Sequence, residues 1–194
     1  MNQYDGPIVD THMHLWDYNN DIPWLSKKGK KEHFFEPLIG NYDRLRRDYK
    51  IEDYLIAAKK HHITKSVHIE VGNFSPNYIK ETNWIDSIAK NNLLPNAIVG
   101  SIDFCSEDVE KTLKGHAKSK YFRGVRQALN YDSNPDFQIV NENLFENDIW
   151  RSNFKLLKEY NASFDLHIYS HQIKNGAQLA KDNPEVPIMS LFRK

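Results

Sequence analysis

Short apolar runs rich in β-branched residues alternate along this chain with longer segments whose apolar residues recur at helical spacing. The short runs predict β-strands at 7–14, 65–71, 96–104, 121–129, 163–169 and 186–192. The longer segments predict helices at 51–62, 83–92, 106–118, 147–161 and 171–183. Strands that alternate with single helices indicate βαβ units and a parallel sheet. We therefore predict an α/β fold, either an open sheet or a (β/α) barrel.

Local signals refine two of the predicted helices. Ile149, Phe154, Leu157 and Tyr160 roughly follow one face of the fourth helical segment. Ser106, followed by two acidic residues, predicts the start of the third helix with an N-cap hydroxyl. The first strand-to-helix turn has the sequence HMHLWD and no G-x-G-x-x-G motif, so a dinucleotide-binding site has no support.

Polar residues interrupt one face of several predicted strands. Side chains two residues apart share a face of a strand. The shared sets are Asp10, His12 and His14; His68 and Glu70; Ser101 and Asp103; and Asp165, His167 and Tyr169. Parallel sheets normally bury both faces, so these groups, with Arg123 or Arg126 of the fourth strand, need partners. We expect them to form one site at the carboxyl ends of the strands, where His12 and His14 can reach the same metal ion.

Several histidines have simpler explanations than metal binding. His61 and His62 are adjacent at a predicted helix end, where the helix dipole favours a positive charge. His33 and His116 have no patterned partners, and we predict that both lie on the surface. His171 begins the last predicted helix, so capping and catalysis are both open for it. An H-x-H pair on an edge strand is itself often only solvated.

The composition narrows the class of protein. The 26 basic and 26 acidic residues balance, which gives no reason to expect a nucleic-acid or membrane partner. A single cysteine, Cys105, excludes an internal disulfide framework and suits a reducing compartment. The N-terminal residues lack the pattern of a secretory signal, so the sequence predicts a cytoplasmic protein. Any metal ligands would be nitrogen and oxygen atoms, which favours zinc, manganese or iron.

Eight short segments, in this order, carry a resemblance to a known family. They are IVDTHMHLWD (8–17), DIPWL (21–25), LRRDYKIEDYL (45–55), ETNWID (81–86), VGSIDF (99–104), FRGVRQ (122–127), SFDLHIYSHQ (163–172) and LAKDNPEVPI (179–188). The chain resembles the amidohydrolase superfamily, in particular the amidohydrolase-related branch that contains sugar lactonases and dicarboxylate lactonases. The combination of H-x-H with W-D, P-W-L and F-R-G-V-R is more specific than H-x-H alone.

The resemblance implies a distorted (β/α)8 barrel with its site at the carboxyl-end mouth of the strands. It implies that His12, His14 and His167 bind a divalent metal ion, zinc or manganese, although some lactonases use a histidine cluster without metal. It also implies that Arg126 binds a substrate carboxylate or lactone oxygens, which suits a guanidinium group.

Further residues are assigned to the substrate and to proton transfer. We predict that the segment 15–49 covers the mouth, and that the substrate contacts Trp16, Trp24, His68, His171 and Arg126. The family uses an aspartate at the end of strand eight to accept a proton from water. The present sequence has no counterpart of that aspartate, so the predicted catalytic set is Arg126, Glu70 and Asp103, with Asp165 as a further substitute.

The pattern of the family stops after Ile188. A complete barrel of this type typically takes about 250 residues, so we predict one domain, 1–194, that lacks the last two βα units and has about six of eight strands. A truncation or an altered reading frame would explain this. Such an incomplete barrel is expected to be impaired in catalysis and to self-associate through its unpaired strand edges.

Hydrolysis of a lactone of a sugar acid or small dicarboxylate is the leading functional hypothesis, with a small molecule as the only other partner. One alternative is an inactive remnant that binds a metal or a carboxylate. Another is a metal-dependent decarboxylase of the same branch. TatD-like nucleases share only the first-strand motif, and the neutral charge suits a phosphate backbone poorly.

Overall fold

A parallel six-stranded sheet forms the centre of the molecule in a computed structural model that describes residues 4–20, 22, 24–25, 40–72 and 76–193. The strands are β1 (Ile8–Met13), β2 (Ile63–Ile69), β3 (Ala97–Ser101), β4 (Phe122–Ala128), β5 (Ser163–Tyr169) and β6 (Ile188–Arg193). They pair in chain order, each parallel to the next. The sheet curls into a half-barrel, which confirms the predicted incomplete TIM-barrel-like α/β fold.

Helices connect the successive strands, as predicted. They are α1 (Ile51–Lys60), α2 (Tyr78–Asn91), α3 (Val109–His116), α4 (Asp148–Phe154) and α5 (Ile173–Asp182). Single-turn or short 3-10 helices occur at Asp43–Leu45, Pro135–Phe137, Leu144–Glu146, Lys155–Tyr160 and Ser170–Gln172. Across the described part of the chain, every helix is too short or too polar to cross a lipid bilayer.

The main apolar core lies between the helices and one face of the sheet. Trp150 and Phe154 of α4 stack with ring centroids 5.1 Å apart, and Phe154 meets Phe164 of β5 at the same distance. A second cluster joins Met13 and Ile51 beside β1 and α1. Because alternate strand residues point to opposite faces, the burial of Phe164 against α4 directs Asp165 to the concave, helix-free face.

The fourth helix differs from its predicted pattern. Its buried face is formed by Trp150, Phe154 and Leu157, whereas the side chain of Ile149 is 60% exposed. Asn147 caps the helix by accepting a hydrogen bond from the Trp150 amide at 3.0 Å. The α-helix then tightens into a 3-10 helix after Phe154, which changes the spacing of the buried positions.

The second and third helices begin at residues other than the predicted ones. The second helix begins at Tyr78, five residues before the predicted start at 83. The third begins at Val109 instead of Ser106. Ser106 still stabilises the turn before this helix, because its Oγ accepts a hydrogen bond from the Asp108 amide at 3.1 Å.

His116 is fully buried, so its predicted surface position is wrong. Its Nε2 donates to the carbonyl oxygen of Ser101 at 2.9 Å, and its Nδ1 lies 2.8 Å from Thr82 Oγ1. The ring stacks on Phe122 with centroids 5.4 Å apart. Burial lowers the pKa of this imidazole below its ordinary value. The histidine therefore ties α2 and α3 to β3. His33 lies outside the described residues.

The glycine of the F-R-G-V-R segment is required by close packing between strands. A Cβ atom at Gly124 would lie 2.6 Å from the carbonyl oxygen of Ser163 in β5. No side chain can be accommodated at that distance from backbone. Gly124 therefore permits the approach of β4 and β5 that places Arg126 beside Asp165 in the strand register.

We expect the edges of the half-barrel to promote self-association. Within the described residues, β1 pairs only with β2 and β6 only with β5, so each presents unpaired backbone groups on one side. Val9 and Met189 on these edge strands are 53% and 59% exposed. A Val9→Lys substitution should reduce the apparent mass in multi-angle light scattering, because an edge lysine disfavours strand pairing. Ile56→Lys, at a 75% exposed position on α1, is the matched control. A wild-type chain that is monomeric at all concentrations would contradict the expectation.

The burial of His116 predicts a specific pH dependence of stability. Its pKa is lower in the folded chain than in the unfolded chain, so the unfolded state takes up a proton first as the pH falls below about 6.5. Stability is then lost towards acid pH. The free energy of unfolding should fall more steeply for wild type than for His116→Gln, by up to about 1.4 kcal/mol per pH unit. Urea unfolding between pH 7 and 5 measures the difference; parallel profiles would show that His116 titrates normally in the fold.

Candidate active site

A row of polar side chains crosses the concave face of the sheet. Ser101 of β3 is in register with Arg126 of β4, and Arg126 is in register with Asp165 of β5. Val125 and Phe164 pack in the helix-side core, so their neighbours Arg126 and Asp165 point to the opposite face. The structure therefore brings polar residues of separate strands onto one surface, as the alternation predicted.

An ion pair between Arg126 and Glu70 occupies the centre of this surface. Arg126 Nε donates to Glu70 Oε1 at 2.6 Å, and its Nη2 donates to the backbone oxygen of Glu70 at 2.5 Å. The two side chains are only 13% and 12% exposed. Glu70 Oε2 accepts a hydrogen bond from the Gly72 amide at 2.7 Å, in a turn where Gly72 has a φ of 72°. A glycine suits this left-handed conformation because it has no Cβ.

The ion pair fixes the charge state of Glu70. Burial alone would raise the pKa of this carboxyl group, but the charge and hydrogen bond of Arg126, together with the Gly72 amide and His14, lower the pKa below its ordinary value. Glu70 is therefore an ionised partner of Arg126. This engagement leaves it poorly suited to accept a proton in a reaction.

His12 and His14 converge on one point at the end of β1. Their Nε2 atoms lie 3.0 Å apart. His14 Nδ1 donates to the carbonyl oxygen of Ile69 at 2.8 Å, which leaves the lone pair of its Nε2 directed at His12. Burial, followed by the charge of Arg126, lowers the pKa of His14 to about 3, so the ring is neutral.

This spacing fits a divalent metal ion. Two imidazole nitrogens that each bind zinc at about 2.0–2.1 Å are roughly 3 Å apart when the angle between the bonds is about 90°. Neutral imidazoles with a fixed second nitrogen are the form in which histidine binds metals. His12 and His14 therefore have the donor atoms and the separation required of a metal-binding pair.

The predicted three-histidine set is not assembled. In the described parts of the chain, no group of three histidine, cysteine, aspartate or glutamate residues is arranged to hold a metal ion. His167 lies on β5, in register with Ala128 of β4. Asp10 also departs from the predicted face, because β1 has a register shift after it and its Oδ2 accepts a hydrogen bond from Tyr54 of α1 at 2.9 Å.

His68 contacts the helix side and does not line the open surface that the alternation predicted. Its side chain is fully buried, with Nε2 3.1 Å from Glu81 Oε1 of α2. Its Nδ1 accepts a hydrogen bond from the Leu15 amide at 3.3 Å. A residue without exposed surface cannot contact a substrate in this conformation, so the expected shared face with Glu70 is a wrong prediction.

Glu81 was missed in the sequence, although it lies in the segment ETNWID. It is 2% exposed and accepts hydrogen bonds from His68 Nε2 and from the Val71 amide, the latter at 2.9 Å. A buried acid at the start of an amphipathic helix has no periodic signature. The only available signal was that an isolated histidine on a buried strand needs a polar partner.

Asp165 and Asp103 differ in how their carboxylates are engaged. Asp103 Oδ1 accepts hydrogen bonds from the Cys105 amide at 2.9 Å and from Gln127 Nε2 at 3.2 Å, so it stabilises the turn after β3. Asp165 is 6% exposed, and the described residues donate no hydrogen bond to its carboxylate. Burial raises the pKa of Asp165 to about 6, against the opposing charge of Arg126 and with a contribution from Glu70.

The remaining predicted residues lie around the rim. Trp24 Nε1 donates to the carbonyl oxygen of Val71, next to Glu70, at 2.7 Å. Trp16 Nε1 donates to the Arg47 carbonyl oxygen at 2.5 Å. His171 Nε2 donates to the carbonyl oxygen of Tyr131 at 3.1 Å, and its side chain is 54% exposed. The central part of the predicted covering segment, 26–39, lies outside the described residues.

Comparison with known sequences gives one family for nearly the whole chain. The model of the Amidohydrolase family matches residues 9–190. The protein y4mH of Sinorhizobium fredii is 36% identical over 187 residues, which cover 95% of this chain and 61% of that protein. The chain thus spans about three fifths of the length of this curated relative.

Solved structures share the fold at low sequence identity. An amidohydrolase from Burkholderia multivorans, crystallised with bound zinc, has a TM-score of 0.69 and 15% identity, with 94% of this chain and 56% of that chain covered. A probable 2-pyrone-4,6-dicarboxylic acid hydrolase from Acinetobacter baumannii, with citric acid bound, has a TM-score of 0.57 and 12% identity, with 95% and 57% covered. At these identities the similarity is one of fold.

The partly buried ion pair predicts non-additive effects on stability. Glu70→Gln leaves the guanidinium of Arg126 without a compensating charge, so it should lower the free energy of unfolding by about 3 kcal/mol. The double variant Glu70→Gln/Arg126→Met removes both charges and should recover a large part of that loss. Urea unfolding of wild type, both single variants and the double variant measures the coupling. Additive losses would show that the two side chains do not stabilise each other.

Proposed function

The chain belongs to the amidohydrolase family, and from this premise we propose that it hydrolyses a lactone of a sugar acid or of a small dicarboxylic acid. The observation that carries the proposal is the placement of two convergent imidazoles and one clamped guanidinium at the same end of the concave face. Such a site offers a place for the ester carbonyl and a place for a carboxylate. One fold neighbour is described as a probable 2-pyrone-4,6-dicarboxylic acid hydrolase, and the compound in that description is a cyclic ester with carboxylate groups.

Arg126 binds the substrate carboxylate in this proposal. A guanidinium has five N–H donors, and Glu70 engages Nε and one donor of Nη2. The remaining donors are available for a carboxylate in the planar geometry that arginine favours. Glu70 holds the group in place and reduces its freedom before the substrate arrives. Glu70 is thus proposed as a positioning residue and no longer as a catalytic one.

His12 and His14 would hold a divalent metal ion, zinc or manganese, on their facing Nε2 atoms. When bound there, such an ion polarises the ester carbonyl and lowers the pKa of water. His14 is prepared for this role by its bond to Ile69, which fixes the tautomer. The other residues of the site bind and orient the substrate or move protons.

Asp165 is the proposed proton acceptor. Its carboxylate is close to Arg126, buried and without a competing hydrogen bond in the described chain, whereas Asp103 and Glu70 are both engaged. Water attacks the carbonyl carbon and gives its proton to Asp165. The ring C–O bond then breaks, and the leaving oxygen takes up that proton. The oxygen of the water thus ends in the new acid group, and one of its protons ends on the new hydroxyl group.

A binding protein without turnover is the second candidate. The observation in its favour is that the described residues provide a pair of metal ligands and not a group of three. A two-ligand site is expected to bind metal more weakly than the three-ligand sites of zinc hydrolases. The same residues would then retain a metal ion and a carboxylate without releasing a product.

The direct test is an assay of the full chain with zinc or manganese and a panel of lactones with and without carboxylate groups. Acid release, followed with a pH indicator, should show turnover that His12→Ala abolishes. Arg126→Lys should raise KM for the carboxylated lactones by about tenfold and change KM for neutral lactones little, because one bidentate contact is lost. Asp165→Asn should lower kcat by about 100-fold, as expected for loss of a general base.

Asp136→Asn, which removes an exposed carboxylate in the loop after β4, is the control for a change of charge. Metal binding without turnover on any lactone would favour the binding protein. Turnover that Asp165→Asn leaves unchanged would show that another group accepts the proton.

A further inference from the structure

We propose that His68 and Glu81 are positioning residues that hold the two metal-binding imidazoles in their converging geometry. This inference rests on the proposed metal site at His12 and His14 and adds the device that orients it. Neither residue contacts the concave surface, because both side chains are buried between the sheet and α2.

His14 is restrained from two directions. Its Nδ1 donates to the carbonyl oxygen of Ile69, the last residue of β2. The next peptide along the chain is held as well, because the amide of Leu15 donates to Nδ1 of His68. Together these bonds fix the ring of His14 and the backbone beside it. The position of Nε2 opposite His12 depends on both.

Both restraints lead to the same carboxylate. Glu81 Oε1 accepts one hydrogen bond from His68 Nε2 and another from the Val71 amide, just beyond the end of β2. The first bond secures the contact to Leu15, and the second secures the stretch of chain that includes Ile69. Glu81 thus joins the carboxyl ends of β1 and β2 to helix α2 through a single side chain.

The hydrogen bonds define the protonation of His68. A backbone amide can only donate, so Nδ1 of His68 carries no proton, and Nε2 carries the proton that Glu81 accepts. Burial lowers the pKa of His68 to about 3, which keeps the ring neutral. Only this tautomer makes both contacts.

The network contributes more to geometry than to stability. Buried polar pairs are often no more stabilising than apolar residues of the same size. Metal affinity, in contrast, depends on donor atoms held within about 0.5 Å of their required positions. Replacing a residue that orients a metal-binding histidine through hydrogen bonds typically weakens metal affinity by about 10- to 100-fold.

Two substitutions separate the halves of the network. The amide of glutamine can imitate Nε2 of a histidine, so His68→Gln can keep the bond to Glu81 and lose the bond to Leu15. Asparagine can imitate Nδ1, so His68→Asn can keep the acceptor for Leu15 and lose the bond to Glu81. Cobalt(II) is a spectroscopic probe of the site, and its absorption bands report affinity without an activity assay.

Cobalt(II) titration of the full chain should show about 10- to 100-fold weaker binding for His68→Gln. His68→Asn should retain most of the wild-type affinity, although both variants lose one hydrogen bond and ring packing. His116→Gln is the matched control: it also replaces a fully buried histidine that makes two hydrogen-bond contacts, but these contacts reach Thr82 and Ser101 instead of Leu15 and Glu81. It should lower the melting temperature and leave cobalt affinity unchanged.

The outcomes distinguish this inference from the proposed function. Equal cobalt affinity for wild type, His68→Gln and His116→Gln, with binding abolished by His12→Ala, overturns the positioning role and leaves the metal site standing. Absence of cobalt binding to wild type, or binding that His12→Ala does not weaken, overturns the metal site and the positioning role with it.

A measurement on wild type applies even if the variants do not fold. Nitrogen-15 NMR of the histidine rings should show His68 with a proton on Nε2 and none on Nδ1, and the Leu15 amide should exchange slowly with solvent. A proton on Nδ1 of His68 would overturn the inference.

Discussion

A charged side chain on the inner face of a parallel sheet requires a partner, and the arrangement of this molecule depends on how Arg126 obtains one. Its guanidinium extends from β4 to Glu70, which follows the last residue of β2, and crosses β3 to do so. The turn at Gly72 directs a backbone amide to the second oxygen of the same carboxylate. The positive charge of Arg126 also acts on the other groups of the concave face. It helps to lower the pKa of His14 and opposes the rise in the pKa of Asp165.

The two faces of the sheet differ in the residues that they carry. The helix side contains the aromatic core around Trp150 and Phe164, which provides most of the apolar burial. Two buried histidines, His68 and His116, are inserted in this layer and connect helices to strand ends. The concave side carries the groups suited to chemistry. A polar connection on the helix side can therefore determine the position of a ring on the other side.

Much of the fold followed from the periodicity of the sequence. Strands and helices alternate as predicted. The period of two left Arg123 and Arg126 open for the polar face of β4, and the strand register puts Arg126 beside Asp165. The alternation failed where strands are irregular or end. Asp10 precedes a register shift. His68 faces the helices because it is in register with the core residues Met13 and Ile98, whereas Glu70 lies beyond the end of β2 and so departs from the face of His68. Glu81 and the burial of His116 could not be predicted, since polar burial on a helix depends on which strand the helix covers. The predicted buried face of α4 included Ile149, whereas the structure buries Trp150 instead. This difference has the same origin, because the packing of α4 against the sheet decides which of its residues are buried.

The central claim is that the concave face combines a metal-binding histidine pair with a carboxylate-binding arginine. Crystals of the full chain grown with zinc and a small dicarboxylate test it most directly through anomalous diffraction at the zinc edge. The account predicts one anomalous peak at about 2.0–2.1 Å from Nε2 of both His12 and His14, with a carboxylate against the free donors of Arg126. A zinc peak bound elsewhere, or a carboxylate remote from Arg126, would contradict it.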